Sequence, residues 1–145
     1  MTGKDFTATI MVTKSPQDVF RNIIQISKWW TKDFEGSSVN LNDEFVICHG
    51  DPHYSKHKLV EMVPGTKIVW LITDSKLNWL EKNKHEWTGT KMIFELVPQD
   101  DKTHTLRFTH QGLVPEMECY ERCAQGWEMV IKDALFKFIN EGKAI

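Results

Sequence analysis

Apolar and polar side chains alternate over residues 5–14. Phe6, Ala8, Ile10 and Val12 fall on one face and Thr7, Thr9 and Thr13 on the other, the signature of a half-buried strand. The period then changes. Ser15-Pro16-Gln17-Asp18 reads as a helix start: Ser15 can cap, Pro16 suits the first helical position and Asp18 favours the positive end. Val19, Phe20, Ile23 and Ile24 carry helical spacing to about Gln25, and a second short helix is predicted over 26–31, bearing Trp29 and Trp30. Residues 34–42 are rich in Gly, Ser and Asn and predict loops around a short strand. Strands follow over 44–48 and 53–62, joined by a turn at 49–52, and over 67–73 after the Pro64-Gly65 turn. Residues 74–86 are polar apart from Trp79 and Leu80, which predicts a long loop with a lid as one use for it. Two more strands are expected over 87–97 and 103–110. They put Met92, Phe94 and Leu96, then Leu106, Phe108 and His110, on inward faces.

Over 116–140 the period is helical again. Met117, Tyr120, Cys123, Ala124, Trp127, Val130, Ile131, Ala134, Leu135, Phe138 and Ile139 form one stripe, and Gly142 is suited to end the helix. Hairpin-length connections imply an antiparallel sheet. A twisted sheet with one apolar face must cover it, and the C-terminal helix is the element large enough to do so. The expectation is therefore an α+β fold in a single domain over 1–145, with six or seven strands curved around the last helix and two short helices after the first strand.

Composition narrows the function classes. Hydrophobic residues are 41% and charged residues 26% of the 145, with a formal net charge of −2. That balance offers no electrostatic footprint for nucleic acid and no basic patch for acidic lipid. The apolar runs are too short for a signal peptide or a bilayer span, so a cytoplasmic protein without a membrane span is expected. Cys48, Cys119 and Cys123 cannot all pair with one another, and reduced thiols fit that compartment. The aromatic count is high: six Trp, eight Phe and two Tyr. Such side chains either fill a core or line a pocket.

Three segments carry a resemblance. SPQDVFRNIIQISKWWT resembles a first-helix motif with a tryptophan pair, WTGTKMIFELVPQDDKTHTLRFTHQGL a signature hairpin ending in Thr-His-x-Gly-Leu, and GWEMVIKDALFKFINEGKA a C-terminal helix. Together they resemble the START-like, Bet v 1-like helix-grip (SRPBCC) superfamily. The branch is the one named after the C-terminal domain of the activator of heat-shock protein 90 ATPase (AHSA1-type). The resemblance implies a cavity between sheet and helix. It does not imply one function, because the superfamily holds lipid carriers, receptors, cyclases and co-chaperones.

On that basis the candidate ligand-binding residues are Trp30, Phe45, Trp70, Phe94, Phe108, Tyr120 and Trp127, with His110, Tyr120 and Cys123 as convergent polar groups. His110 faces inward by strand parity and suits either a structural bond or, near neutrality, a general base. No partner carboxylate is fixed by spacing, so the structural role is the expected one. His49, Asp51 and His53 have metal-ligand character across the 49–52 turn, yet a solvated hairpin is the expected outcome and no cofactor is implied. Cys119 and Cys123 sit near a helix start, where thiol pKa values fall, but no histidine is fixed beside them by sequence and a nucleophilic role is not expected. The leading expectation is a non-catalytic binding domain for a small hydrophobic or amphipathic molecule. A protein-interaction or co-chaperone-like module and a cavity enzyme of cyclase or hydrolase type using His110 are the alternatives. A homodimer through sheet edges or the 74–86 loop is compatible with all three.

Overall fold

The computed structural model describes residues 5–49 and 53–145. Seven strands, β1 (Phe6–Val12), β2 (Phe34–Gly36), β3 (Glu44–His49), β4 (His53–Val63), β5 (Lys67–Leu77), β6 (Lys91–Pro98) and β7 (His104–Gln111), form one antiparallel sheet in the order β1-β7-β6-β5-β4-β3-β2. Helix α1 (Pro16–Ile23) and a 3₁₀ turn (Ile26–Lys28) separate β1 from β2. Helix α2 (Tyr120–Met129) runs through a π-helical stretch (Val130–Leu135) into α3 (Phe136–Glu141). This is the expected α+β helix-grip architecture, with seven strands.

The period-two pattern decides which side chains meet the helix. Phe6, Ala8, Ile10 and Val12 are all buried on β1. On the central hairpin, Met92, Phe94 and Leu96 stand directly opposite His110, Phe108 and Leu106, and all six are buried. Each fully buried aromatic or large aliphatic side chain contributes about 1.5–3 kcal/mol relative to exposure. Register shifts in the β4–β5 pairing at Lys56/His57 and Leu59/Glu61 bend the sheet there, as bulges do.

The helix buries Cys123, Trp127, Ile131, Leu135 and Ile139. A constant step of four overshoots the 3.6 residues of an α-helical turn, so the stripe would drift off the sheet. The wider π turns at Val130–Leu135 reduce that drift and keep the late residues facing inward. At the helix end Gly142 takes φ 71°, the left-handed position glycine adopts readily. Asn140 ties this end to the first strand: its Oδ1 accepts from the Thr13 N–H at 3.2 Å and its Nδ2 donates to the Met11 carbonyl at 3.0 Å.

Three boundaries differ from the sequence expectation. Strand β5 continues to Leu77, because pairing with β4 extends to Ser55↔Ser75 and His53↔Leu77. Alternation resumes there with the opposite parity after the irregularity that leaves Thr73 and Asp74 both exposed, and the inward residue Ser75 is polar, so the pattern is hidden. Trp87 lies in a turn, not on a strand, and β6 begins at Lys91. Gly89 at φ 90° and a Thr90 Oγ1–H bond to the Trp87 carbonyl at 2.6 Å shape that turn. The last helix starts at Tyr120, not Glu116. The Glu118 and Cys119 N–H groups are taken by the Glu86 carboxylate at 3.0 and 3.1 Å, a tertiary partner that local spacing does not reveal.

Candidate functional site

A cleft of about 300 Å³ opens where the 78–90 loop meets α2. Four tryptophans line it: Trp30 after the 3₁₀ turn, Trp79 and Trp87 from the loop, and Trp127 from the helix. His53, Arg122, Cys123, Gly126, Met129 and Val130 complete the wall. Trp87 stacks on Trp127 with ring centroids 5.9 Å apart, and Trp30 packs against Trp127 at 5.1 Å. Arg122 holds its guanidinium 4.8 Å over the Trp79 ring, a cation–π contact. At Gly126 an added Cβ would meet nothing within 4 Å, so a helix position without a side chain widens the opening.

Of the residues singled out from sequence, Trp30, Cys123 and Trp127 are on the cleft wall. Phe45, Trp70, Phe94 and Phe108 are fully buried behind it. Their rings form a continuous series: Phe45–Trp70 at 5.1 Å, Trp70–Phe94 at 5.0 Å, Phe94–Phe108 at 5.1 Å and Phe108–Trp127 at 4.6 Å. Tyr120 is half-buried at the start of α2 and packs against this core away from the cleft lining. The aromatic set thus divides into a filled interior and an open end.

His110 also lies in the interior, with both ring nitrogens engaged. Nδ1 accepts the Trp127 indole N–H at 3.0 Å. That fixes the proton on Nε2, which donates to Thr90 Oγ1 at 2.8 Å, and Thr90 in turn donates to the Trp87 carbonyl. Burial lowers the His110 pKa to about 3. A neutral, doubly bonded imidazole removed from the cleft has neither a vacant lone pair nor the basicity for proton abstraction near neutrality. It positions Trp127 and the 87–90 turn, two walls of the cleft.

A second polar line was not foreseen. His53 Nε2 and His57 Nε2 approach Ser55 Oγ at 3.0 and 2.8 Å. His57 is fully buried, stacked 4.7 Å from Phe45, and desolvation drives its pKa well below the ordinary value. Inward residues two apart on one strand share a face, which brings His53, Ser55 and His57 together. Of the His49, Asp51 and His53 arrangement, Asp51 is outside the described residues, and His49 and His53 are cross-strand partners. Among the described residues no group of three or more His, Cys, Asp or Glu side chains is placed to hold a metal.

The loop is fastened by two carboxylates acting reciprocally. Glu86 accepts from the Glu118 and Cys119 N–H groups ahead of the helix, while Glu118 accepts from the Glu81 and Lys82 N–H groups of the loop at 3.1 and 3.0 Å. Those backbone bonds hold the Glu118 pKa below the usual carboxylate range. Sequence reasoning missed Trp79, Trp87 and Arg122 as site residues. The available signal was two tryptophans in an otherwise polar segment, an expensive placement unless the rings find apolar partners.

A family model described as Activator of Hsp90 ATPase homolog 1-like protein matches residues 15–139. No curated protein matches the chain. Among solved structures, the Aha1 dimer from Colwellia psychrerythraea is similar at 20% identity and TM-score 0.76, covering 97% of this chain and 98% of that one. An HSP90 activator from Plasmodium falciparum is similar at 19% identity and TM-score 0.60, covering 94% of each chain. A protein from Bacillus halodurans is similar at 12% identity and TM-score 0.65, covering 97% of this chain and 100% of that one. At these identities the likeness is one of fold. No helix among the described residues is long and apolar enough to cross a membrane.

Proposed function

The chain belongs to the Activator of Hsp90 ATPase homolog 1-like family, and from that premise we propose that it binds a small apolar or amphipathic molecule in the tryptophan-lined cleft. One observation carries the reading: an open, largely apolar space of about 300 Å³ sits at the end of a core that is otherwise filled with rings. Apolar concavities with a few polar groups at the edge suit ligands of this kind. Here the polar edge is Arg122, His53 and the Cys123 thiol. The apolar body of the ligand would lie among Trp30, Trp87 and Trp127, and Trp79 with Arg122 would close over it. Binding requires no proton transfer, in keeping with the saturated His110.

Native mass spectrometry of protein purified without denaturation tests this, with titration of an environment-sensitive apolar dye as a second readout. A co-purifying molecule, or dye binding that Trp127→Ala and Trp79→Ala weaken, supports the proposal. Dye binding unaffected by both substitutions removes it.

A second reading, a protein-interaction module of co-chaperone type, is supported by the family's description and by the HSP90 activator among the similar structures. Val39 and Leu41, each 57% exposed between β2 and β3, offer apolar contact points. Stimulation of an Hsp90 ATPase by the purified chain, lost in a Val39→Ser/Leu41→Ser double variant, would favour it over the first. A homodimer is proposed alongside either reading, in line with the dimeric Aha1 structure, and light scattering after size exclusion decides it.

A further inference from the structure

The polar groups of the cleft are unevenly matched. No aspartate or glutamate is among the described residues that line it, and Arg122 brings a permanent cation to its mouth. The Arg122 side chain is exposed, with its guanidinium over the Trp79 ring. Among the described residues no carboxylate forms an ion pair with it. Two acids beside the mouth are committed elsewhere: Glu86 accepts from the Glu118 and Cys119 N–H groups, and Glu118 from those of Glu81 and Lys82. Trp87 adds an independent observation. It is 4% exposed, and its indole nitrogen has no hydrogen-bond partner. By contrast, the indole N–H groups of Trp29 and Trp127 are bonded to the Ile23 carbonyl and to His110 Nδ1. Trp70 also has an unmet N–H, but it is sealed in the interior, whereas Trp87 is part of the cleft wall. Buried donors without a partner are few in folded proteins, and each asks for an explanation.

We propose that the cleft selects amphipathic carboxylates: the anionic head pairs with the Arg122 guanidinium, one ligand oxygen accepts from the Trp87 indole N–H, and the apolar body lies against Trp30 and Trp127. This rests on the cleft being a ligand site, and it adds the charge and the hydrogen-bond polarity of what enters. A guanidinium carries five N–H donors and no acceptor, in a planar fork that matches a carboxylate. The Trp79 contact engages its charge without consuming those N–H groups in a hydrogen bond. An indole N–H is likewise a donor only. A carboxylate offers acceptors alone, so it meets both groups and buries no unmatched donor. A primary ammonium would set a second cation beside Arg122 and bring donors to donors. A neutral amide can satisfy the Trp87 N–H but leaves the guanidinium charge unpaired. A space of about 300 Å³ is at the small end of ligand pockets, which suits a single chain or a fused ring pair as the body.

The test is isothermal titration calorimetry of the full chain with three matched probes: 2-naphthoxyacetate, 2-naphthoxyacetamide and 2-naphthoxyethylammonium. The carboxylate is expected to bind about tenfold tighter than the amide, with the ammonium weakest, and the preference should shrink as salt rises. Arg122→Gln should remove the preference by weakening the carboxylate about tenfold while the amide is unchanged. Arg122→Lys, which keeps the charge, should retain part of it. Trp87→Phe keeps a ring without the N–H and should weaken carboxylate and amide alike, by about threefold or more. Circular dichroism and thermal melts check that each variant is folded, and the Arg122 variants decide the matter where Trp87→Phe does not fold. The proposal is overturned if the wild type binds carboxylate and amide equally, if Arg122→Gln keeps the preference, or if a folded Trp87→Phe binds the carboxylate as tightly as the wild type. Binding of none of the three probes overturns it as well. Apolar dye binding that Trp127→Ala weakens would then show that the ligand proposal stands and that the selectivity alone has failed.

Discussion

Replacing His110 with Gln should flatten the dependence of stability on pH in the mildly acidic range. In the folded protein the His110 imidazole stays neutral with its pKa lowered to about 3 from the ordinary 6.5. Once unfolded it regains the ordinary value. Between those limits the unfolded state binds the extra proton, so stability is fully present above the unfolded pKa and is lost as pH falls through the window toward the folded one. At about pH 5 the loss from this one histidine is RT ln(1 + 10^1.5), about 2 kcal/mol. Against a typical total of about 5–15 kcal/mol, that is measurable. His57 acts in the same direction. Gln offers an acceptor for the Trp127 indole and a donor for Thr90, at a cost near neutrality of about 1–2 kcal/mol for imperfect geometry. The assay is urea unfolding followed by tryptophan fluorescence from about pH 7.5 to 5, above the range where most carboxylates titrate. The wild type should lose about 2 kcal/mol more than His110→Gln across that window. Parallel curves would refute the claim of a buried neutral imidazole, as would a His110 ring that NMR shows protonating near pH 6.

Three further outcomes are expected. Gly126→Leu should keep or slightly raise stability, since glycine costs about 0.5–1 kcal/mol in a helix interior, while filling the cleft and weakening apolar dye binding by at least about tenfold, about 1.4 kcal/mol. Thermal melts and dye titration separate the two effects. Glu86→Ala leaves two backbone N–H groups without their carboxylate and should cost about 1–3 kcal/mol. Faster hydrogen exchange at Glu118 and Cys119 is the specific readout. Gly112→Ala places a side chain at φ 99° with its Cβ 2.7 Å from Thr90 Cγ2. It should destabilise by about 1–3 kcal/mol and perturb the Thr90–His110 bond, visible as a shifted His110 ring resonance.

The strands and helices were legible where one face is apolar and the other polar. The β1 alternation, the Ser15 cap with its Oγ accepting the Asp18 N–H at 3.2 Å, and the inward stripe of the last helix all follow from local pattern. What escaped depends on partners distant in sequence. The end of β5 is set by pairing with β4, and the start of α2 by Glu86. Parity correctly placed Phe94, Phe108 and His110 on the inner face, but it cannot distinguish the bottom of a core from the rim of a cleft. That distinction depends on how far each residue lies from the end of the sheet that the helix leaves uncovered. Trp70 and Trp127 therefore look alike in sequence, while one is sealed in the ring series and the other divides interior from opening.

The two sides of the cleft are held by different kinds of interaction. The inner side rests on ring packing and on the buried Trp127–His110–Thr90–Trp87 series, where losing any one partner leaves a desolvated polar group. Such a wall moves only at high cost. The outer side is the 78–90 loop, fastened by the exposed Glu118 carboxylate, by Glu86 and by the Arg122–Trp79 contact. Water can replace the exposed bonds one at a time, while Leu80, buried among the core side chains, keeps the loop seated on the interior. Trp87 belongs to both sides. Its carbonyl ends the buried series while its ring stacks on Trp127. The Trp87–Trp127 stack is thus tied to the interior, and it is the surface against which the proposed ligand would rest.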